Sequence, residues 1–119
     1  MIRLRQLFNS LKYAGRGLSY SWQHEQNFRV QACIGIIVIL AGLWLGVSAV
    51  RMIIVLLLVL LVLVLELLNT FFEKLIDVVH PRVHHYAATM KDILAATVLL
   101  SSVGAIVIGI LIFWPYLSR

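Results

Sequence analysis

Three stretches of this chain are apolar over lengths that can cross a lipid bilayer. Two of them, Val30–Val50 and Ile93–Ser118, carry no charged side chain. The other begins after Arg51, stays uncharged to Leu65 and then continues in helical pattern towards Val79. A segment inside hydrocarbon must satisfy its own backbone hydrogen bonds, which a helix does without a partner strand. The ten-residue alternating segments of a membrane β-barrel do not occur. With 62% hydrophobic residues, the chain is predicted to be an all-α integral membrane protein.

The N-terminal segment predicts an amphipathic helix that lies on the membrane surface. Its apolar residues recur at helical spacing and its basic residues occupy other faces. No cleavable signal peptide is expected, because no apolar core with a small-residue cleavage site follows the basic start. We therefore expect one domain over 1–119, with a surface helix at about 3–24 and transmembrane helices at about 28–48, 51–79 and 88–116.

The distribution of Lys and Arg predicts the orientation. Eight lie before the first span or around the connection between the second and third, and only Arg51 and Arg119 lie on the other side. The N-terminus and the connection around residue 80 are therefore predicted to be cytoplasmic. Topology and anionic lipid account for the net charge of +5, and no nucleic-acid partner is expected.

Several residues are interpreted as structural. Cys33 is the only cysteine, so it makes no disulfide framework and is expected to pack inside the first span. Small residues in the third span, Gly104, Ala105 and Gly109, are expected to allow close helix packing. Pro81 is expected to end the second helix at His80. The histidines show no recurring ligand spacing, so no transition-metal site is expected.

A polar stripe follows the uncharged run of the second span. On a helix, Glu66, Asn69, Glu73 and Asp77 fall within an arc of about 80°. Such a stripe must face protein, water or a bound cation, because a carboxylate in lipid costs about 2.5 kcal/mol or more. Lys91 and Asp92 open the third span, and Glu25 precedes the first. All these groups are expected at the same cytoplasmic depth.

This set of residues fits phosphoryl transfer at a membrane surface. Paired carboxylates suit Mg²⁺, which keeps water ligands and bridges phosphates. A lysine can pair with a phosphate, and a further carboxylate can accept a proton from a hydroxyl. No P-loop or kinase glycine-rich loop occurs, so a nucleotide would need another arrangement. Two other classes stay open from the residues alone: a small cation or drug transporter, and a structural or partner-binding membrane subunit.

The motifs in this chain resemble those of the prokaryotic-type diacylglycerol kinases. ELLNTFFEKLIDVV at residues 66–79 is similar to the family's E-x-x-N-[ST]-x-x-E-x-x-x-D segment. HEQNFRVQ at residues 24–31 looks like its E-x-x-F-R entry to the first span, and MKDILAATVLL at residues 90–100 looks like the start of its last span. The resemblance covers nearly the whole chain. It implies a homotrimeric lipid kinase of the bacterial inner membrane that uses Mg-ATP, with three transmembrane helices and a surface helix.

The resemblance also implies roles for individual residues. Glu66 would be the catalytic carboxylate that takes the proton of the lipid hydroxyl, and Asn69 would support it. Glu25 and Glu73 would hold the metal. The residues expected to contact nucleotide are Tyr13, Glu25, Glu73, Asp77, His84, Lys91 and Asp92.

Two positions depart from the family pattern. Phe71-Phe72 stands where the family commonly has Ala-Ile, and a basic residue usual just before Lys91 is absent. Since the acidic positions are all present, the resemblance implies an active enzyme. Members of the family phosphorylate diacylglycerol or undecaprenol. The HExNFR motif and the later His-His pair resemble the undecaprenol kinase branch, so we expect undecaprenol, with diacylglycerol as the alternative.

Overall fold

The computed structural model describes residues 1–79 and 84–119, with His84 described by its backbone alone. Within these residues the chain forms four helices: α1 (Leu4–His24), α2 (Gln26–Trp44), α3 (Ala49–Val79) and α4 (His84–Leu117). Helices α2, α3 and α4 are each long and apolar enough to cross a membrane. The prediction of an all-α chain with three such helices is therefore confirmed. The predicted end of the second helix at Pro81 lies outside the described residues.

A single extended residue, Glu25, separates α1 from α2. Its backbone has φ −110° and ψ 106°, so it ends one helix and precedes the next. Its N–H donates to the Ser21 carbonyl at 2.9 Å. The Arg29 guanidinium donates to the carbonyls of Trp22 at 3.1 Å and Gln23 at 3.2 Å, where the end of α1 leaves acceptors without helical donors. The break therefore fixes Glu25 at the corner between the two helices.

The turn between α2 and α3 is a Schellman motif. Gly46 adopts φ +66°, a left-handed conformation that glycine reaches without the steric penalty of a side chain. Its N–H donates to the Leu43 carbonyl at 3.2 Å, and the Val47 N–H donates to Gly42 at 3.0 Å. The Tyr116 hydroxyl then accepts the N–H of Ser48 at 3.1 Å. This contact joins the turn to the end of α4.

Helix α3 is the central helix and packs against both α2 and α4. Its buried face is apolar at Val55 and becomes polar at Glu66, Asn69 and Thr70, and it ends with Ile76. Close contact with α2 occurs at Gly35, where an added Cβ would lie 2.6 Å from Val59 Cγ1. The glycine therefore sets how closely the backbones of α2 and α3 approach.

One structural expectation was wrong, and a second is not met within one chain. Cys33 is exposed, because it lies nearly opposite Gly35 on α2, and the Gly35 face is the one that packs against α3. At Gly104 and Gly109, no atom of the described residues lies within 4 Å of an added Cβ. Close packing within the chain therefore uses the glycines of α2 and not those of α4.

Helix α4 begins earlier than Lys91. It starts at His84, so residues 84–90 form its first turns and Lys91 and Asp92 lie inside the helix. This position brings Lys91 level with the last turns of α3 and within reach of Asp77.

Candidate active site

Glu66 is the most deeply buried large side chain among the described residues, with 2% exposure. Gln31 of α2 donates a hydrogen bond from Nε2 to Glu66 Oε2 at 3.3 Å. A carboxylate without water or a donor is strongly disfavoured in a low-dielectric environment. The position is explained by the sequence of α3, because Glu66 continues the buried face that Val55 begins three turns earlier.

Two further polar side chains are buried beside Glu66 on α3. Asn69 is 8% exposed and Thr70 is 6% exposed. Within the described part of the chain, Asn69 Oδ1, Thr70 Oγ1 and Gln31 Oε1 have no hydrogen-bond partner. Buried oxygens normally have donors. The cluster therefore has unused acceptor capacity for a bound hydroxyl, for water or for a donor from another molecule.

The structure brings Glu25 and Glu73 close to Glu66. Glu73 lies two turns after Glu66 on α3. Glu25 pairs with Lys74 of the same helix, with Oε1 and Nζ 3.8 Å apart. Glu73 is half-buried. Three acids from the α1–α2 corner and from α3 thus share one region, and Lys74 offsets part of their negative charge.

Lys91 connects α4 to the outer part of the stripe. Its Nζ lies 2.5 Å from Asp77 Oδ1, and the charge of Glu73 also acts on it. The Lys91 side chain is 40% exposed and that of Asp77 is 56% exposed. The exposed end of the cluster therefore presents a lysine close to acids, next to the buried end that holds Glu66.

Two predicted nucleotide contacts, Tyr13 and Asp92, are not joined to this cluster. Tyr13 is exposed on α1, and its ring lies 5.9 Å from the Arg16 guanidinium. Asp92 is exposed on α4. In residues 1–79 and 84–119, no hydrogen bond or ion pair links either side chain to the acids. The side chain of His84 lies outside the described residues.

The acidic residues suit a magnesium ion that is only partly held by protein. Among the described residues, no three His, Cys, Asp or Glu side chains are grouped so as to hold a metal. Glu25 and Glu73 could supply two carboxylate ligands, and water or phosphate oxygens would complete the octahedral shell. Such partial coordination is usual for Mg²⁺ in phosphoryl-transfer sites.

Sequence reasoning missed Gln31 and Thr70 as members of the site. Gln31 stands at the start of an otherwise apolar span, and a neutral amide carries no charge signal. Its position near Glu66 depends on the alignment of α2 with α3. Thr70 lies next to Asn69 in the quoted motif, and its burial could have been inferred from the helical arc of the stripe.

An apolar cavity of about 700 Å³ opens between α2, α3 and α4. It extends from Gln31, beside the acids, towards Trp114 and Leu117 near the end of α4. Of the lining residues, Gln31 carries an amide and Ser102 a hydroxyl, and the others are aliphatic or aromatic. A molecule with one polar end and a hydrocarbon body would match this distribution.

Comparison with known proteins identifies the family of this chain. The profile of the prokaryotic diacylglycerol kinase family matches residues 12–113. The chain is 36% identical over 114 residues to a diacylglycerol kinase of Synechocystis, covering 94% of this chain and 65% of that protein's length. It is 34% identical over 114 residues to an undecaprenol kinase of Bacillus subtilis, covering 96% of this chain and 93% of that protein.

A more distant relative gives the same assignment. A diacylglycerol kinase of Escherichia coli is 24% identical over 111 residues, which cover 93% of this chain and 91% of that protein. The matched region includes the break at Glu25, the polar stripe of α3 and the lysine of α4. The chain therefore belongs to the prokaryotic diacylglycerol kinase family and is a lipid kinase of that family.

Proposed function

We propose that this enzyme transfers the γ-phosphate of ATP to the hydroxyl of undecaprenol at the cytoplasmic face of the bacterial inner membrane. The observation that carries the proposal is the position of Glu66. Its carboxylate is buried within a helix that can cross a membrane, and its partner Gln31 lines an apolar cavity. A lipid alcohol could therefore place its hydroxyl at the carboxylate while its hydrocarbon stays among apolar side chains.

Glu66 acts as the general base in this proposal. It accepts the proton of the lipid hydroxyl as the hydroxyl oxygen forms a bond to the γ-phosphorus. The bond between that phosphorus and the bridging oxygen of ADP breaks, so the products are the phosphorylated lipid and ADP. Asn69, buried three residues away, supports the position of Glu66.

The remaining acids and Lys91 bind the nucleotide in this proposal. Glu25 and Glu73 hold Mg²⁺, which when bound neutralises phosphate charge. Lys91 contacts the phosphates, since its ammonium is exposed beside the acidic cluster. Tyr13, Asp77, His84 and Asp92 contribute further nucleotide contacts.

The enzyme is proposed to act as a homotrimer with its N-terminus in the cytoplasm. Only 17%, 17% and 6% of the most hydrophobic windows of α2, α3 and α4 are buried within one chain, so each chain leaves much apolar surface for lipid or for other copies. Lys and Arg are concentrated on the predicted cytoplasmic side. Helix α1 is proposed to lie in the membrane surface, where its exposed apolar side chains Leu4, Leu7, Phe8 and Leu11 would contact lipid.

Diacylglycerol is the second candidate substrate, because the Synechocystis and Escherichia coli relatives are diacylglycerol kinases. Undecaprenol is favoured by the HExNFR and His-His pattern and by the undecaprenol kinase of Bacillus subtilis, which this chain matches over 93% of its length. Membership of an enzyme family argues against the transporter and structural-subunit hypotheses.

The proposal is tested by supplying the purified enzyme with Mg²⁺, γ-labelled ATP and either lipid in separate reactions. Label should enter undecaprenol faster than diacylglycerol, and Glu66→Gln should abolish transfer while leaving the oligomer intact. Preferential labelling of diacylglycerol would select the second substrate. Retained transfer in Glu66→Gln would refute the assignment of the general base.

A further inference from the structure

Gln31 lies where the buried carboxylate meets the apolar cavity. Its Nε2 donates to Glu66 Oε2, and the residue also belongs to the cavity lining. No other side chain in the described part of the chain donates a hydrogen bond to Glu66. The amide therefore connects the acid to the space in which a hydrocarbon chain could lie.

The chemistry of the two groups fixes the orientation of the amide. If the Gln31 carbonyl oxygen faced the ionised carboxylate of Glu66, the form that acts as a general base, two acceptors would oppose each other at hydrogen-bond distance. The observed arrangement places the NH₂ group on the carboxylate, so the carbonyl points away from it. That carbonyl oxygen, Oε1, is buried and has no partner among the described residues. The contact with Glu66 is thus the interaction that orders the Gln31 side chain.

This contact also restricts Glu66. A glutamate side chain has several rotatable bonds, and packing against apolar atoms does not favour one direction for its oxygens. The donor from Gln31 engages Oε2 and so restricts rotation of the carboxylate, while Oε1 accepts no side-chain hydrogen bond from the described residues and stays available to the lipid hydroxyl. Misplacing a reacting group by about 1 Å can lower a rate by about 100-fold.

We infer that Gln31 is a positioning residue, which holds the Glu66 carboxylate in the orientation that accepts the proton of the lipid hydroxyl. The inference rests on the proposed function, in which Glu66 is the general base. Gln31 binds neither nucleotide nor metal in this account. Its loss should lower the rate of the chemical step and leave the affinity for ATP unchanged.

The test is the Gln31→Met variant, which keeps the length of the side chain and removes the amide. Its matched control is Gln6→Met, the same chemical change at an exposed position of α1. The kcat and the KM values for ATP and for lipid are measured in mixed micelles, with thermal unfolding and oligomer size measured on the same samples. Gln31→Met should lower kcat by about 10- to 100-fold, with both KM values within about twofold and unfolding unchanged; Gln6→Met should behave as wild type.

A second variant, Gln31→Asn, keeps the amide but shortens the side chain. Its kcat should also fall, while the KM values for ATP and for lipid stay unchanged. The inference is overturned if kcat is unchanged in Gln31→Met, if KM for the lipid rises instead, or if lost activity parallels lost folding in both variants. Failure of the proposed function gives a different result, because wild type itself would then label neither lipid.

Discussion

The polar stripe of α3 changes from buried to exposed along its length. Glu66 is 2% exposed and Asn69 is 8% exposed, Glu73 is half-buried, and the Asp77 side chain is 56% exposed. In the proposed function, lipid would reach the buried end through the bilayer, and a nucleotide would reach the exposed end from water. One stripe on one helix can therefore serve two substrates of opposite polarity, with the reacting groups meeting between Glu66 and Glu73.

At the residue scale, Lys91 should matter for activity far more than for stability. Its ion pair with Asp77 is partly exposed, and such pairs contribute about 0 to 1 kcal/mol. Lys91→Met should therefore change the free energy of unfolding by less than about 1 kcal/mol. If Lys91 contacts the transferred phosphate as proposed, losing its charge should lower kcat/KM for ATP by about 100- to 1,000-fold. Steady-state kinetics and chemical denaturation in detergent measure the two effects.

The matched control for Lys91→Met is Lys12→Met on the exposed face of α1, which should change neither quantity. A Lys91→Met enzyme with normal kcat/KM for ATP would remove Lys91 from the nucleotide site. If Lys91→Met lowered the free energy of unfolding by several kcal/mol, the pair with Asp77 would instead be a structural link between α3 and α4.

At the element scale, two glycines of α2 differ in what faces them. A Cβ on Gly35 would lie 2.6 Å from Val59 Cγ1, and a Cβ on Gly42 would lie 2.9 Å from Met52 Sδ. Valine is stiff at χ1, so it yields only if the helices separate. Methionine is flexible and can move aside. Although the two contact distances are similar, an alanine at Gly35 is therefore expected to destabilise the protein more than an alanine at Gly42.

Gly35→Ala should lower the free energy of unfolding by about 1–3 kcal/mol, the usual cost of overpacking, and Gly42→Ala by less than about 1 kcal/mol. Because Gln31 lies one turn before Gly35 on the same face, separating α2 from α3 should also weaken its contact with Glu66 and lower kcat. Denaturation in detergent and kinase assays check both expectations. Adding Val59→Ala to Gly35→Ala should restore the free energy of unfolding and kcat, and failure of that rescue would contradict the steric explanation.

These helix contacts also show how far the sequence could predict the structure. Uncharged runs predicted three membrane helices, and the arc of about 80° predicted that Glu66 and Asn69 share a face, because both signals are local. The link from Gln31 to Glu66 depends on how α2 aligns with α3, which the contact of Gly35 with Val59 sets. The failed expectation for Cys33 has the same origin, since hydropathy identifies a span but not which of its faces packs.

At the scale of the whole molecule, one chain already assembles the three acids of the proposed site. Glu66 and Glu73 lie on the same helix, two turns apart, and Glu25 pairs with Lys74 of that helix within a single chain. In a homotrimer each chain would then supply its own general base and metal-binding carboxylates. Neighbouring copies would cover apolar surface without exchanging these acids.

Mixed oligomers test whether the acids of one site come from one chain. Glu66→Gln and Glu25→Gln chains are denatured together, reassembled and assayed for lipid phosphorylation. Every chain then lacks one acid of its own site, so activity should stay at the level of the separate variants. Wild-type chains mixed with Glu66→Gln chains are the control, and their activity should follow the wild-type fraction. Recovery of activity in the mixture of the two variants would mean that Glu25 reaches the Glu66 of a neighbouring copy, and the α1–α2 corner would then belong to an interface between subunits.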